Sequence, residues 1–324
     1  MAESKFSFSV LDVGQGSMQL IEEGDDTNIV IDCNISRAPE FVSRYLGRRN
    51  VNHLDLLILS GTDQDHADLD GLQMLVTKTN SDIREIWYPH YPAETDNWKA
   101  VLKLIGELQR NGTKVRRPQA GDYARLNGLA IKVMSPHPDD SDTSNNASIV
   151  VKLIAEDVGF ICPGDCESEQ RWQNIIKYFN AWLPSNILLA AHHGSINGCI
   201  EEAVKLIAPQ YTVISCGEGN QHDHPHDAAL DIYADNTSEE VYITHEVGSI
   251  LYESDGKTIT NVVLDAGQDP EGKKSVKKIA GRRPRYANTA RVSSPQPSHL
   301  RDAIQKARPT GEPPKDRVGF GLAQ

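Results

Sequence analysis

The chain has 324 residues, of which 39% are hydrophobic and 24% charged, with a formal charge of −12. That length and mixture predict one large globular domain or one domain with an appendage, and speak against a fibrous or wholly disordered chain. No run approaches the roughly 18 apolar residues of a membrane helix, and the amino terminus lacks the apolar stretch of a secretion signal, so the expectation is a cytoplasmic protein that does not engage a membrane. The five scattered cysteines form no C-x-x-C pair, which predicts reduced thiols rather than a disulfide framework or a structural zinc knuckle.

In chain order, Phe6 to Val13 and Thr27 to Cys33 alternate apolar and polar residues and predict a hairpin of strands. Glu40 to Arg48 follows as a short amphipathic helix, and the continuous apolar run Leu54 to Leu59 as a buried strand that stops at Ser60-Gly61-Thr62. Leu72 to Thr79 and Trp98 to Arg110 carry helical spacing, with strands predicted at Ile83 to Tyr88 and Lys114 to Arg116. The second half repeats the alternation. Strands are expected at Ala130 to Ser135, Ser148 to Ile154, Gly159 to Cys162, Asn186 to Ala191, Tyr211 to Ser215, Glu240 to Thr244 and Ser249 to Glu253, and helices at Ser168 to Phe179, Glu201 to Ile207 and Asp227 to Ala234. The order predicts an α/β class.

After Leu264 the composition changes to Pro, Gly, Ser, Arg and Lys. Residues 266–324 hold 13 Lys and Arg against 5 Asp and Glu, a net of +8, which leaves −20 on residues 1–265. The chain therefore divides into a folded body, 1–265, and a basic tail, 266–324, too poor in apolar surface to offset its ordering entropy. Such a tail is an electrostatic handle for a polyanion. A solvated linker or a contact for the acidic body or a protein partner are the plainer readings.

Six polar groups directly follow strand-like segments: Asp12 to Gly16, Asp63-Gln64-Asp65-His66, Asn145-Asn146 with Ser148, Gly164-Asp165, His192-His193-Gly194-Ser195 and His222 to His226. Loops at strand ends are where α/β folds gather ligands, and carboxylates combined with imidazoles suit Zn, Mn or Fe(II).

The ordered segments LDVGQGS, LLILSGTDQDHADLDG, SNNASIVVKL, FICPGDCESE, LLAAHHGSINGC and ISCGEGNQHDHPH resemble the metallo-β-lactamase-fold hydrolases, and within them the branch holding the hydrolase domain of ComEC DNA-uptake channels. The resemblance covers Phe6 to Leu264. It implies an αββα four-layer sandwich and a divalent-metal centre. Asp63, Asp65 and His66 match the later positions of an H-x-[HD]-x-D-H loop whose first histidine is Gly61 here. Asp165 matches a carboxylate that bridges two metals. The late histidine ligand falls on the His192-His193 pair; His192, which directly ends the strand, is taken as the ligand, and His193 as a substrate contact. Asn145 or Asn146 stands where other branches place a histidine.

The expected metal set is thus Asp63, Asp65, His66, Asp165 and His192, with Asp65 and Asp165 also assigned catalytic roles. The cofactor is Zn or Mn, with one complete position and a second impaired by Gly61. Substrate contacts are expected from His193, Ser195, His224, His226 and Asn146. A plainer reading accompanies several of these: Asp12 braces its turn, Asp68 and Asp70 serve a helix N-terminus, Ser195 bonds backbone or phosphate, His224 and His226 support metal ligands, and His245 replaces the lost ligand or is plain surface. His53, His90, His137 and His299 read as ordinary loop residues.

The resulting expectation is a metal-dependent hydrolase, a phosphodiesterase or nuclease acting on nucleic acid or nucleotides through a metal-activated water. The alternative is a catalytically impaired scaffold of the same fold that binds a polyanion or a partner protein. A third reading is a hydrolase of small esters or thioesters.

Overall fold

A computed structural model describes residues 5–24, 27–35, 38–137 and 143–265. The basic segment 266–324 lies outside the described residues, as does the expected tail boundary's far side.

The first half runs β1 (Phe6–Val10), β2 (Gln19–Glu23), β3 (Thr27–Ile31), α1 (Pro39–Arg48), β4 (Leu56–Ile58), α2 (Leu69–Lys78), β5 (Glu85–Trp87), α3 (Asp96–Arg110) and β6 (Lys114–Arg116). The second runs β7 (Tyr123–Leu126), β8 (Leu129–Ser135), β9 (Val150–Ala155), β10 (Val158–Cys162), α4 (Glu169–Phe179), β11 (Ile187–Leu189), α5 (Glu201–Ile207), β12 (Tyr211–Ile214), α6 (Asp227–Asn236) and β13 (Glu240–Ile243). A short α7 (Thr244–Val247) then leads to β14 (Ser249–Ser254) and β15 (Ile259–Asp265). Beyond the predicted elements the structure adds β2, β7, α7 and β15.

Two mixed sheets result, one of 8 strands ordered β15-β14-β1-β2-β3-β4-β5-β6 and one of 7 strands ordered β13-β12-β11-β10-β9-β8-β7. The final hairpin crosses back to pair β14 antiparallel with β1, so the first sheet is closed by the last strands of the body. In β1, Phe6, Phe8 and Val10 face the opposite sheet, where Phe8 meets the Phe160 ring edge-on. The intervening serines face the helices, where Ser9 Oγ lies 2.8 Å from Tyr45 Oη. This period of two makes β1 a strand, and it buries one apolar row between the sheets.

The helices α1, α2 and α3 cover the outer face of the first sheet through Val42, Leu46, Leu72, Leu75, Trp98, Val101 and Ile105. Trp172, Ile175, Val204, Ile207 and Tyr233 of α4, α5 and α6 do the same for the second. Thr95 starts α3 by accepting a bond from Trp98 N at 3.2 Å, and each fully buried aliphatic side chain on these faces stabilises the fold by about 1.5–3 kcal/mol. The layer order is helix, sheet, sheet, helix. The strands β3 to β6 run parallel to one another, as do β10 to β13. Their carboxyl ends come together across the sandwich, where Ile149 N donates to Ser60 O at 2.8 Å.

Candidate metal centre

The loop after β4 begins at Ser60, buried beneath the second sheet, and turns back so that His66 N and Ala67 N both donate to Asp63 O, at 3.0 and 2.8 Å. Its backbone is held from two sides: Ser17 N donates to Asp65 O at 2.8 Å and Cys33 N to His66 O at 2.9 Å. The Gly-rich turn after β1 thus supports the loop, and Gly16 is required there. Its φ is +144° and a Cβ would stand 2.6 Å from Asn34 Cγ.

Asp65, His66, Asp165 and His193 each place one ligand atom so that all four lie within 4.8 Å of one another. His66 Nδ1 lies 2.7 Å from Asp32 Oδ2, and His193 Nδ1 lies 2.8 Å from the carbonyl of Ser215. Both acceptors call for a proton on Nδ1, which turns the Nε2 lone pair of each ring toward the group. His66 Nε2 stands 2.8 Å from Asp165 Oδ1, while His193 Nε2 is 3.4 Å from Asp65 Oδ2 and 3.6 Å from Asp165 Oδ1. None of His66 Nε2, His193 Nε2 and Asp165 Oδ1 makes an aligned hydrogen bond, although all three are buried. Lone pairs of imidazole and carboxylate facing one another at this range are resolved by a proton or a cation between them. Two imidazoles and two carboxylates form a donor set that suits a divalent transition metal.

Electrostatics agree with the geometry. Burial alone would push His66 down, but the carboxylates of Asp165 and Asp32 outweigh it and hold the ring well above its ordinary 6.5. His193 is raised in the same way, burial being outweighed by Asp165 and Asp65. Asp165, whose burial would raise it, is held far below the usual carboxylate range by His66 and His193. Asp65 is lowered against its own burial by the facing His193 imidazole and by His66.

The sequence-predicted residues separate around this group. Asp65, His66 and Asp165 lie in it, and the histidine that joins them is His193 rather than the expected His192. The two are consecutive and both adopt left-handed backbone, φ 48° and 54°, so the turn after β11 points them differently. His192 Nε2 is 3.9 Å from Asp165 Oδ2, and its Nδ1 is 2.9 Å from Glu167 Oε2, which places it at the rim. Asp63 stands outside the group, raised by burial and by the neighbouring Asp65 and Asp165 carboxylates.

Of the expected substrate contacts, Asn146 Oδ1 accepts from Ser168 N at 3.0 Å and braces the start of α4. Ser195 Oγ accepts from Asn197 N at 3.4 Å within its own turn. His224 packs against the His192 ring with centroids 5.4 Å apart and against His226 at 4.9 Å. Burial and the surrounding His192, His193, His226 and His222 push His224 down to about 4, so it is neutral at pH 7. Asp12 Oδ1 accepts from Gly14 N at 3.3 Å and braces its turn. His245 Nδ1 faces Cys216 O at 3.3 Å and is not among the four. Asp68 precedes α2 without capping it; Gln64 Nε2 donates to its Oδ1 at 3.3 Å.

Two residues were not anticipated. Asp32, fully buried, receives Ser60 N on Oδ1 at 2.7 Å and Ser60 Oγ on Oδ2 at 2.9 Å besides facing His66. The signal was present, an acid directly after an apolar strand, but the alternation ran the strand through to Cys33. The strand ends at Ile31, and Asp32 takes φ 59°, a conformation Asp tolerates better than most residues. Glu167, beside His192, had no spacing cue.

The fold is that of metallo-β-lactamase proteins. The metallo-β-lactamase-fold protein YhfI of Bacillus subtilis superposes with a TM-score of 0.51 at 15% identity, over 76% of this chain and 100% of that one. Igni18, a metallo hydrolase of Ignicoccus hospitalis, superposes with a TM-score of 0.50 at 16% identity, over 77% and 100%. In sequence the chain matches competence proteins of the ComEC type. It is 27% identical to ComE operon protein 3 of Bacillus subtilis over 208 residues, 64% of this chain and 26% of that protein. It is 21% identical to competence protein ComA of Neisseria gonorrhoeae over 234 residues, 70% and 29%. The chain thus spans between a quarter and a third of the length of these relatives. No protein-family model matches it. No helix among the described residues is long and apolar enough to cross a membrane.

Proposed function

We propose that the protein is a divalent-metal-dependent hydrolase of phosphodiester bonds in nucleic acid or nucleotides, working in the cytoplasm with Zn or Mn. The observation that carries this reading is the convergence of His66 Nε2, His193 Nε2 and Asp165 Oδ1, buried and without hydrogen-bond partners, beside Asp65. Asp65, His66, Asp165 and His193 would hold the ion, which supplies Lewis-acid polarisation and a water acidified toward neutrality. The competence-protein relatives favour a nucleic-acid substrate over a small ester, because fold likeness by itself does not choose a reaction.

The chain's own groups divide the remaining work. Asp32 and the Ser215 carbonyl keep each ligand histidine in the tautomer that presents Nε2. His192, with Glu167 on its Nδ1 at 2.9 Å, is placed to hand a proton to a leaving oxygen at the rim. His226 Nδ1 accepts from Ile196 N at 3.0 Å, which leaves its Nε2–H free to donate to a phosphate oxygen, and neutral His224 packs against it. Asp63 adds negative charge next to the group, a donor for a second ion that Gly61 leaves without its imidazole.

The test is metal replacement. Chelated protein reloaded with Zn, Mn, Mg or Ni should cleave single- or double-stranded DNA, RNA or nucleotides with one of the transition metals. Stoichiometric metal binding with no turnover of these or of small esters would favour the second reading, a scaffold for a polyanion or partner protein, for which Gly61 is the specific support.

A further inference from the structure

Two strands away from the metal-bearing loop, the carboxyl ends of β5 and β6 carry a cationic and aromatic group in an otherwise acidic body. Arg117 is exposed. Its Nη2 donates to Tyr88 Oη at 3.0 Å, its Nη1 donates to His90 Nδ1 at 3.1 Å, and its guanidinium lies over the Tyr88 ring at 5.1 Å. The neighbouring Arg116, over the Trp87 ring, is shared between Glu85 and Asp122 at 3.6 and 3.9 Å. Arg117 has no such carboxylate among the described residues; its partners are a tyrosine hydroxyl and an imidazole nitrogen. A guanidinium fixed by a tyrosine and a histidine, with part of its fork left to solvent, is organised for an anion that the chain does not itself provide.

The group is tied to the metal-bearing loop by the sheet. Leu59 N, directly before that loop, donates to Trp87 O at 2.8 Å, and Tyr88 N donates to Arg116 O at 3.2 Å. Further on, Asn97 Nδ2 donates to Ala67 O at 2.7 Å, next to His66. Strand spacing of about 4.8 Å puts the end of β6 roughly 10 Å from the end of β4. That is about three nucleotide steps along a strand rising about 3.4 Å per step.

We propose that Arg117, held by Tyr88 and His90, is a phosphate contact for a nucleic-acid strand, a few nucleotides from the bond cleaved at the metal centre. It rests on the phosphodiester reading and makes the substrate a polynucleotide rather than a mononucleotide. An oligonucleotide cut at the metal carries flanking phosphates that can reach Arg117, which a diester with a single phosphate lacks.

The experiment uses the full chain as wild type, Arg117→Gln and Arg117→Lys. With metal chelated, anisotropy of a labelled single-stranded oligonucleotide of about 12 residues is followed across salt. Arg117→Gln should weaken binding several-fold and reduce the log-log salt slope by about 1, while Arg117→Lys keeps the slope and loses part of the affinity. With metal restored, Arg117→Gln should raise KM for the oligonucleotide and leave turnover of bis(p-nitrophenyl) phosphate unchanged. Equal binding by wild type and Arg117→Gln, no binding by wild type at low salt, or equal loss on both substrates would overturn the proposal. Absence of any cleavage by wild type would sink the phosphodiester reading alone, since the chelated binding comparison still decides the contact.

Discussion

Asp32 Oδ2 and His66 Nδ1 lie 2.7 Å apart with both side chains removed from solvent, so the ligand face of His66 is set by a carboxylate 34 positions earlier in the chain. Asp32→Asn keeps an oxygen near Nδ1 but removes the charge, and should weaken metal binding about 10–100-fold in a folded protein. Asp32→Ala should also lower stability, because Ser60 N–H would be left unpaired in the interior at about 1–3 kcal/mol and His66 Nδ1 would keep only Ser60 Oγ at 3.1 Å. Metal titration alongside thermal melts separates the two effects.

The two adjacent histidines should differ in kind. His193→Ala removes a group member and should lose bound metal and activity together, as should Asp65→Ala, His66→Ala and Asp165→Ala. His192→Ala should retain metal at close to wild-type stoichiometry and lose turnover through kcat. Metal content by mass spectrometry on the purified variants decides it, and a metal-free His192→Ala would return His192 to the ligand set.

Metal binding should release protons. In the metal-free protein His66 and His193 hold protons more tightly than a free imidazole, because Asp165 and its neighbours outweigh their burial. An ion must displace those protons, so apparent affinity should rise with pH above the ordinary histidine value of 6.5 and level off once the raised values are passed. Calorimetry in buffers of different ionisation enthalpy counts the protons. Affinity independent of pH between about 6 and 9 would remove both histidines from the ligand set.

Gly61 is open to a side chain. Its φ is outside the left-handed region, and a Cβ would meet His66 Cγ at 3.5 Å, an ordinary contact. Gly61→His should therefore fold, and the imidazole near Asp63 should raise metal stoichiometry from one equivalent toward two. One equivalent in a variant of unchanged melting temperature would mean that the protein works with a single ion.

The alternation of apolar runs with helical segments was legible because each element's period is a local property: Lys114–Arg116 and Glu201–Ile207 match their predicted bounds. The polar groups at strand ends were legible for the same reason, since a parallel strand buried on both faces is followed within a few residues by acids and histidines, as after Ile58 and Leu189. Other features depend on partners far away in the chain. Whether β14 and β15 close the first sheet or the second depends on pairing with β1, more than 230 positions earlier. The choice between His192 and His193 depends on two left-handed residues whose directions are set by Gly164 O, which accepts from His192 N at 3.0 Å, and by Ser215 O, which faces His193 Nδ1 at 2.8 Å. Asp32 and Arg117 acquire their settings only when β3 is laid beside β4 and β6 beside β5. Composition and spacing thus determined which side chains stand at strand ends, and the packing of two sheets decided which of their atoms meet, because a ligand group is a set of distances between residues that no local pattern relates.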